Sequence, residues 1–381
     1  MDDLLTRGVA NIIPNKNELE KVLRTGKKLN IYIGIDPTAT KIHLGHAMPL
    51  RKLQQFAELG HNITFLIGDF TALIGDTSDK DSERPSLTSE EIKENFSTYK
   101  EQAKKILDFS KIKVRFNSEW LEKLTYREIL KLKQQFSLND FMSRELIKKR
   151  LIEGKRVRLD ETEYPIMQGY DSYFMDTDIQ IGGTDQVFNM QAGRTLQKNL
   201  RNKESFVLCT DYLLGTDGRK MSKSWGNAIW LSDEPSDMYR KVMAINDDQI
   251  KNYFILATNL PLSEIPTDKE ISNSPLEIKK KLALRIVTEL HSKIEAKNAQ
   301  DIFEGNIEEE VRIINLQPNS NPTASDVIIE SGLLPSMSEV KRKFSENGIK
   351  INGEVPENLK TEVKSGSIIS VGRNKVKVIK N

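Results

Sequence analysis

Two short segments carry residue types that could handle phosphate chemistry. His43-Leu44-Gly45-His46 sets two imidazoles three residues apart around a glycine, and Lys220-Met221-Ser222-Lys223-Ser224 sets two lysines and two hydroxyls on one stretch. At a helix start, residues i and i+3 share a face, so His43 and His46 can point together. Free backbone N–H groups and the positive end of the dipole make such a start attractive to phosphate. Imidazoles there could donate to a phosphoryl group as its charge redistributes, and Gly45 would leave room for a base or ribose. Lys220 and Lys223 could close over a triphosphate and stabilise a departing pyrophosphate. Gly215-Thr216-Asp217-Gly218-Arg219 reads as a flexible approach to them. Taken singly, both signals are weak, because paired histidines are more often capping or surface residues and basic loops are usually just solvated. A metal reading of the histidines lacks a third ligand nearby. The glycine spacing fits neither a P-loop nor a dinucleotide-binding turn.

The elements around these segments must position them. Asn30 to Ile35 reads as a buried strand closed by Asp36-Pro37-Thr38, so the histidines follow a strand's C-terminal end, where open α/β sheets bind ligands. A helical pattern runs from His46 to Leu59, with Leu50, Leu53 and Phe56 at helical spacing and Gly60 as a stop. Ile63 to Ile67 is a second strand, and Ser89 to Phe109 a long helix capped by Thr88 or Ser89. Strand signals return at Ile179 to Gly183 and Phe206 to Leu208. This alternation predicts a parallel sheet covered by helices. The charged helical stretch at about 119–161 reads as an insertion, with Leu130, Leu132, Phe136, Leu138 and Phe141 recurring in it. The expected organisation is an α/β, Rossmann-like catalytic domain over 1–232, a helical domain over 233–314, a linker over 315–322 and a small α+β module over 323–381. The linker is expected because Asn315 to Thr323 is polar and carries two prolines.

Composition narrows the class. With 381 residues, 38% hydrophobic and 29% charged, the chain reads as a soluble globular protein of two or three domains. A net charge of +2 means that any nucleic-acid contact must use local basic patches. Cys209 is the single cysteine, which excludes an internal disulfide and thiolate-rich zinc sites. The acidic start Met1-Asp2-Asp3 resembles neither a signal nor a transit peptide, and no apolar run could cross a bilayer, so a cytoplasmic location is expected.

Together, the two segments resemble the paired signature motifs of class I aminoacyl-tRNA synthetases in order and separation. Leu44 stands where the commoner family form has isoleucine, a volume-conserving difference. Tyr164-Pro165-Ile166-Met167-Gln168-Gly169-Tyr170-Asp171, Gln180-Ile181-Gly182-Gly183-Thr184-Asp185-Gln186 and Gly68-Asp69-Phe70-Thr71-Ala72-Leu73-Ile74-Gly75-Asp76 resemble tyrosyl-tRNA synthetases. The C-terminal module resembles the S4-type RNA-binding domain of the bacterial enzymes, so the likeness spans nearly the whole chain. It implies adenylation of tyrosine by ATP and transfer to tRNA(Tyr), with Mg²⁺ accompanying ATP, no protein-bound metal or organic cofactor, and a homodimer formed through the insertion.

The resemblance also implies roles. Asp171 and Tyr32 would bond the substrate's phenolic OH, and Tyr164, Gln168 and Asp76 its ammonium. Asp185 would bind the ATP ribose, Gln186 would line the tyrosine and adenylate site, and Asp36 and Thr38 would meet the adenylate or phosphates. Lys80 and Arg84 would reach the pyrophosphate with Lys220 and Lys223. Lys341, Arg342, Lys343 and Arg373 would meet RNA. A small-molecule nucleotidyltransferase would lack the full Lys220 to Ser224 segment with an RNA-binding tail. A decayed, non-catalytic RNA-binding relative would have damaged one signature. Asp171 and its segment argue against a tryptophanyl enzyme.

Overall fold

In a computed structural model of the chain, residues 2–37, 40–75, 88–222, 225–306, 312–316, 322–334, 336–372 and 374–380 are described. Six strands form the first sheet: β1 Val9–Ile13, β2 Asn30–Ile35, β3 Asn62–Ile67, β4 Ile112–Phe116, β5 Ile179–Gly183 and β6 Phe206–Thr210. Their order is β1-β6-β5-β2-β3-β4. Strands β2 to β6 pair in parallel, and β1 adds to β6 antiparallel at the edge. The inner runs are almost wholly apolar because helices cover both faces; every residue of β6 is buried. The sequence pattern shows β2, β3, β5 and β6 but not the two edge strands. β4 carries Lys113 and Arg115, and β1 exposes Ala10 and Asn11, so neither presents a buried apolar run.

From β2 the chain proceeds to β3 and β4 on one side, while β5 and β6 lie on the other. The order therefore reverses between β2 and β5. A crevice opens at the carboxyl ends of strands around such a reversal. Asp36 follows β2 there, and Thr184-Asp185-Gln186 follow β5.

A one-turn helix, Leu44–His46, leads into the helix Ala47–Glu58, whose Leu50, Leu53 and Phe56 are fully buried against the sheet. The helix Ser89–Ala103 opens on a capping box between Thr88 and Glu91. It stops short of the expected Phe109. Beyond it, the Asp108 carboxylate accepts from both the backbone N–H and the hydroxyl of Ser110, a local turn that competes with helix. The stretch between β4 and β5 is helical as expected: Ser118–Leu121, Tyr126–Lys133, Leu138–Met142 and Glu145–Ile152 precede Tyr164–Phe174. A buried bidentate pair, Arg150 to Glu161 at 2.7 and 3.0 Å, ties its last turns together.

The chain divides into two compact units, 1–304 and 305–381. The helices Pro235–Met243, Ile250–Ala257, Pro275–Leu290 and Lys293–Glu304 belong to the first. Tyr239, Leu282 and Ala299 join Ile31 and Phe65 in one core, so the segment expected as a separate helical domain shares the sheet's interior. Arg7 strengthens the join by donating to the carbonyls of Phe254, Ile255, Thr258 and Leu260, which caps the helix Ile250–Ala257.

The second unit is a four-stranded sheet in the order β7-β10-β9-β8, with β7 Arg312–Leu316, β8 Ile349–Ile351, β9 Ile368–Val371 and β10 Asn374–Lys380. The helices Ala324–Glu330 and Met337–Ser345 pack on it through Val327, Ile328 and Val340. This corrects the expected linker: Asn315 and Leu316 pair with Ile379 and Lys380 inside the sheet. The apolar Ile313, Ile314 and Leu316 make this stretch a better strand than linker, and the prolines act only beyond it. Among the described residues no helix is long and apolar enough to cross a membrane.

Candidate active site

The first motif is clamped by the segment that follows the second. Leu44 N donates to the Ile229 carbonyl at 2.7 Å, Leu231 N donates to Ile42 at 2.9 Å, and His43 bridges Trp230. The rings of His43 and His46 stack at 3.9 Å with 24° between their planes. A Cβ on Gly45 would lie 2.9 Å from His43 Nδ1. The glycine therefore makes room for the histidine stack. Burial, with the neighbouring imidazole second, holds His43 down to about 2. Burial holds His46 down to about 4, against the pull of Asp185. Both rings are neutral near pH 7. A neutral imidazole keeps one N–H, so each can donate to a phosphoryl oxygen. Among the described residues neither Nδ1 has a hydrogen-bond partner.

The approach to the second motif is cross-linked, where the sequence suggested a flexible run. Leu214 bridges Lys220. The Asp217 carboxylate accepts from Arg219 Nε at 2.8 Å and from Asn227 Nδ2 at 2.7 Å, and these bonds, Asn227 first, hold it down to about 2. Ser222 N donates to Asn227 Oδ1 at 2.8 Å, and the Arg219 guanidinium lies 4.6 Å over the Trp225 ring. Beyond this braced turn, Lys220 Nζ reaches Asp185 Oδ2 at 3.4 Å. The motif's first lysine thus meets the carboxylate at the end of β5.

At the end of β2, Asp36 accepts from Thr71 Oγ1 at 2.8 Å and from the Tyr164 hydroxyl at 2.7 Å. Gly68 permits this, since a Cβ there would fall 2.0 Å from Asp36 Oδ1. Tyr164, Gln168 and Asp171 lie at i, i+4 and i+7 on the helix Tyr164–Phe174, one face of it. Asp171 is 3% exposed. It accepts from Trp120 Nε1 at 2.7 Å and Asn117 Nδ2 at 3.2 Å. Burial pushes its carboxyl up to about 8 against those two bonds. Tyr32 is buried beside it, its phenol pushed well above the usual range by burial and then by the Asp171 charge. The Tyr32 hydroxyl donates to Gln180 Oε1 at 3.1 Å. Gln186 Oε1 accepts from Asn189 Nδ2 at 3.0 Å. The contacts therefore form two clusters: two neutral imidazoles at a helix start near an ammonium, and a buried carboxyl held by Trp120 and Asn117.

Residues 24–306 match the family model of tRNA synthetases class I (W and Y). The chain belongs to this family. The synthetase is 38% identical over 385 residues to the tyrosine–tRNA ligase of Dehalococcoides mccartyi, covering 98% of this chain and 97% of that one. It is 40% identical over 381 residues to tyrosine–tRNA ligase 2 of Vibrio cholerae, with 97% and 96% covered. Its fold matches a C-terminally truncated mitochondrial tyrosyl-tRNA synthetase of Coccidioides posadasii (TM-score 0.65, 23% identity, 79% and 90% covered). It also matches the Archaeoglobus fulgidus tyrosyl-tRNA synthetase complexed with L-tyrosine (TM-score 0.59, 25% identity, 78% and 98% covered).

In the synthetase, hydrogen bonds join Asp36 to Tyr164 and Lys220 to Asp185, Tyr32 lies beside Asp171, His43 and His46 stack next to Gly45, Gln168 shares the helix face of Tyr164 and Asp171, and Gln186 bonds Asn189. Thr38, Asp76, Lys80, Arg84, Lys223 and Arg373 lie outside the described residues. Sequence reasoning missed Asn117, Trp120, Gln180 and Asn227. The signal for the first two was Asn117-Ser118-Glu119-Trp120 just after a strand, a position where open sheets place ligand contacts. In the second unit, Arg342 is bonded to Glu339 and Glu346, and Lys343 to Glu346, while Lys341 is exposed. Two of the expected RNA cations thus carry intramolecular partners.

Proposed function

We infer that the synthetase activates L-tyrosine with ATP, releasing pyrophosphate, and transfers tyrosine from the adenylate to the 3′-terminal ribose of tRNA(Tyr). The observation that carries the amino-acid choice is Asp171, a buried carboxyl that accepts from Trp120 and Asn117 and lies beside Tyr32. A phenolic O–H satisfies such a group, and a phenyl ring leaves it short of a donor. Tyr164 and Gln168 on the same helix face, with Asp76, hold the substrate ammonium. The tyrosine carboxylate attacks the α-phosphorus of ATP in line and pyrophosphate departs. The tRNA hydroxyl then attacks the aminoacyl carbonyl and AMP departs. No protein nucleophile is needed, because positioning and charge stabilisation lower the barrier.

His43 and His46 donate to the α-phosphoryl oxygens. Asp185 accepts from the ribose hydroxyls, which frees Lys220 for the leaving phosphates, where Lys223, Lys80 and Arg84 join it. Thr38 and Asp36 meet the adenylate, Asp36 through the corner it shares with Tyr164 and Thr71, and Gln186 lines the same site. ATP enters as its Mg²⁺ complex. Pyrophosphate–ATP exchange with a panel of amino acids tests the assignment: tyrosine supports exchange, and exchange driven by tryptophan in its place would overturn it.

The second unit carries the tRNA contact, with Lys341 and Arg373 as its leading cations and Arg342 and Lys343 re-pairing from glutamates to phosphates. Removing residues 305–381 is expected to abolish charging of tRNA and to leave exchange within about twofold, since the first unit has its own core. The active form is a cytoplasmic homodimer joined through the insertion. In support, Leu132 and Phe141 are buried, while Leu130, Leu138, Ile152 and Leu159 are exposed. Leu138→Lys should shift the sedimentation of the protein toward monomer.

A further inference from the structure

A glycine inside a helix costs stability and needs a reason. Gly193 lies within the helix Val187–Arg201. A Cβ there would come within 2.8 Å of both amide atoms of Gln180 and 2.7 Å of Ser172 Cβ. The space is shaped for Gln180, which stands on β5 and is 1% exposed. Gln180 and Tyr32 are register partners across β5 and β2, so sheet pairing fixes their approach. The amide is oriented by its bonds. Nε2 donates to the Met190 carbonyl at 2.9 Å, and Oε1 accepts the Tyr32 hydroxyl at 3.1 Å. Turning the amide over would set its oxygen against a carbonyl oxygen. A phenol has one proton to donate, so Tyr32 spends its proton inward, on Gln180.

The consequence concerns how tyrosine is told from phenylalanine, and it rests on the tyrosine-site reading above. The substrate's O–H goes to Asp171, whose two oxygens already act as acceptors, for Trp120 Nε1 and Asn117 Nδ2. The substrate oxygen then calls for a donor, and the nearby Tyr32 proton is already committed. When phenylalanine is bound, that proton stays on Gln180 and nothing at Tyr32 is left unpaired. An unmade buried bond would be the larger penalty. We propose that Gln180 is a specificity-determining positioning residue: by offering the Tyr32 hydroxyl a second acceptor, it mutes Tyr32's share of the discrimination and leaves Asp171 with the larger share.

Removing the acceptor should therefore sharpen selection. In Gln180→Met, of similar length and without an amide, the ratio of kcat/KM for tyrosine to that for phenylalanine in pyrophosphate exchange is expected to rise roughly three- to tenfold, the worth of one neutral hydrogen bond. Gln180→Leu does the same job if the methionine variant does not fold. Gln180→Glu keeps an acceptor, and its ratio should not rise. In a Tyr32→Phe background, Gln180→Met should leave the ratio unchanged. A residue with a purely structural role would slow both substrates alike in every background. A ratio that stays level or falls in Gln180→Met, or that rises equally without the Tyr32 hydroxyl, overturns the proposal. Failure of the underlying reading is separate: it would show as a wild-type ratio in Asp171→Asn.

Discussion

Asp171 and Asp185 sit in opposite surroundings. Asp171 is 3% exposed and receives N–H bonds from Trp120 and Asn117. Asp185 is exposed and meets a similarly exposed lysine at 3.4 Å. A buried carboxyl needs fixed, well-aligned partners, so the tyrosine end is rigid by necessity. An exposed pair gains little from its contact, so ribose and phosphates can rearrange it at small cost. Selecting a substrate benefits from the first arrangement. Escorting a leaving group benefits from the second, because the lysine has to move. The half-buried histidines lie between these extremes: they are stacked and neutral.

The contrast can be broken most forcefully at Asp171. Asp171→Ala removes a buried acceptor and strands two buried N–H groups, together about 4 kcal/mol, so kcat/KM for tyrosine should fall roughly 10³-fold. A fall of less than tenfold in a protein with native circular dichroism would mean that the buried end does not read the phenol. Next comes His46→Ala, which removes a preorganised donor. It should lower kcat for exchange on the order of 10²-fold and leave the KM for tyrosine within about threefold. Equal losses in both would place the ring on the substrate and not on the reacting phosphate.

At the exposed end the effects are smaller. Lys220→Ala should cost roughly tenfold in kcat and leave the thermal midpoint unchanged, because an exposed ion pair contributes about 0–1 kcal/mol. A drop in the midpoint of several degrees would show that the Asp185 contact is structural. The smallest effect is in pH. His46 has a folded-state pKa of about 4, below its ordinary value of 6.5. The unfolded chain therefore binds the extra proton first as pH falls. The stability that His46 contributes by staying neutral is fully present above pH 6.5 and is lost on descent through about 4. In His46→Asn, urea midpoints at pH 7 and pH 5 should differ less than in the unaltered protein. An unchanged difference would place the titration elsewhere. The same displacement predicts that neither histidine adds an inflection near pH 6.5 to the exchange rate.

Much of the site was legible because its signals are local. His43 to His46, Lys220 to Ser224 and the run Tyr164 to Asp171 each hold their residues on one turn or one helix face, where spacing alone sets direction. The four central strands were legible for the same reason, as buried apolar runs. Partners distant in the chain were not. Tyr164 bonds Asp36 across 128 residues, and Asn117 and Trp120 reach Asp171 across 54 and 51. β4, which delivers Asn117 and Trp120, alternates charged and apolar residues and merges in sequence with the charged insertion. The expected linker failed in a similar way, since Asn315 and Leu316 look polar-flanked until β10 offers them a ladder.

The chain itself determined the residue chemistry and local geometry: which groups can donate, accept or carry charge, and which lie side by side on one element. The tertiary structure decided how those groups are committed. It made the histidines neutral by packing them, half-buried, against each other, and gave Tyr32's single proton to Gln180. Protonation and hydrogen-bond direction depend on every neighbour within a few ångströms, and those neighbours come from elements that only packing brings together.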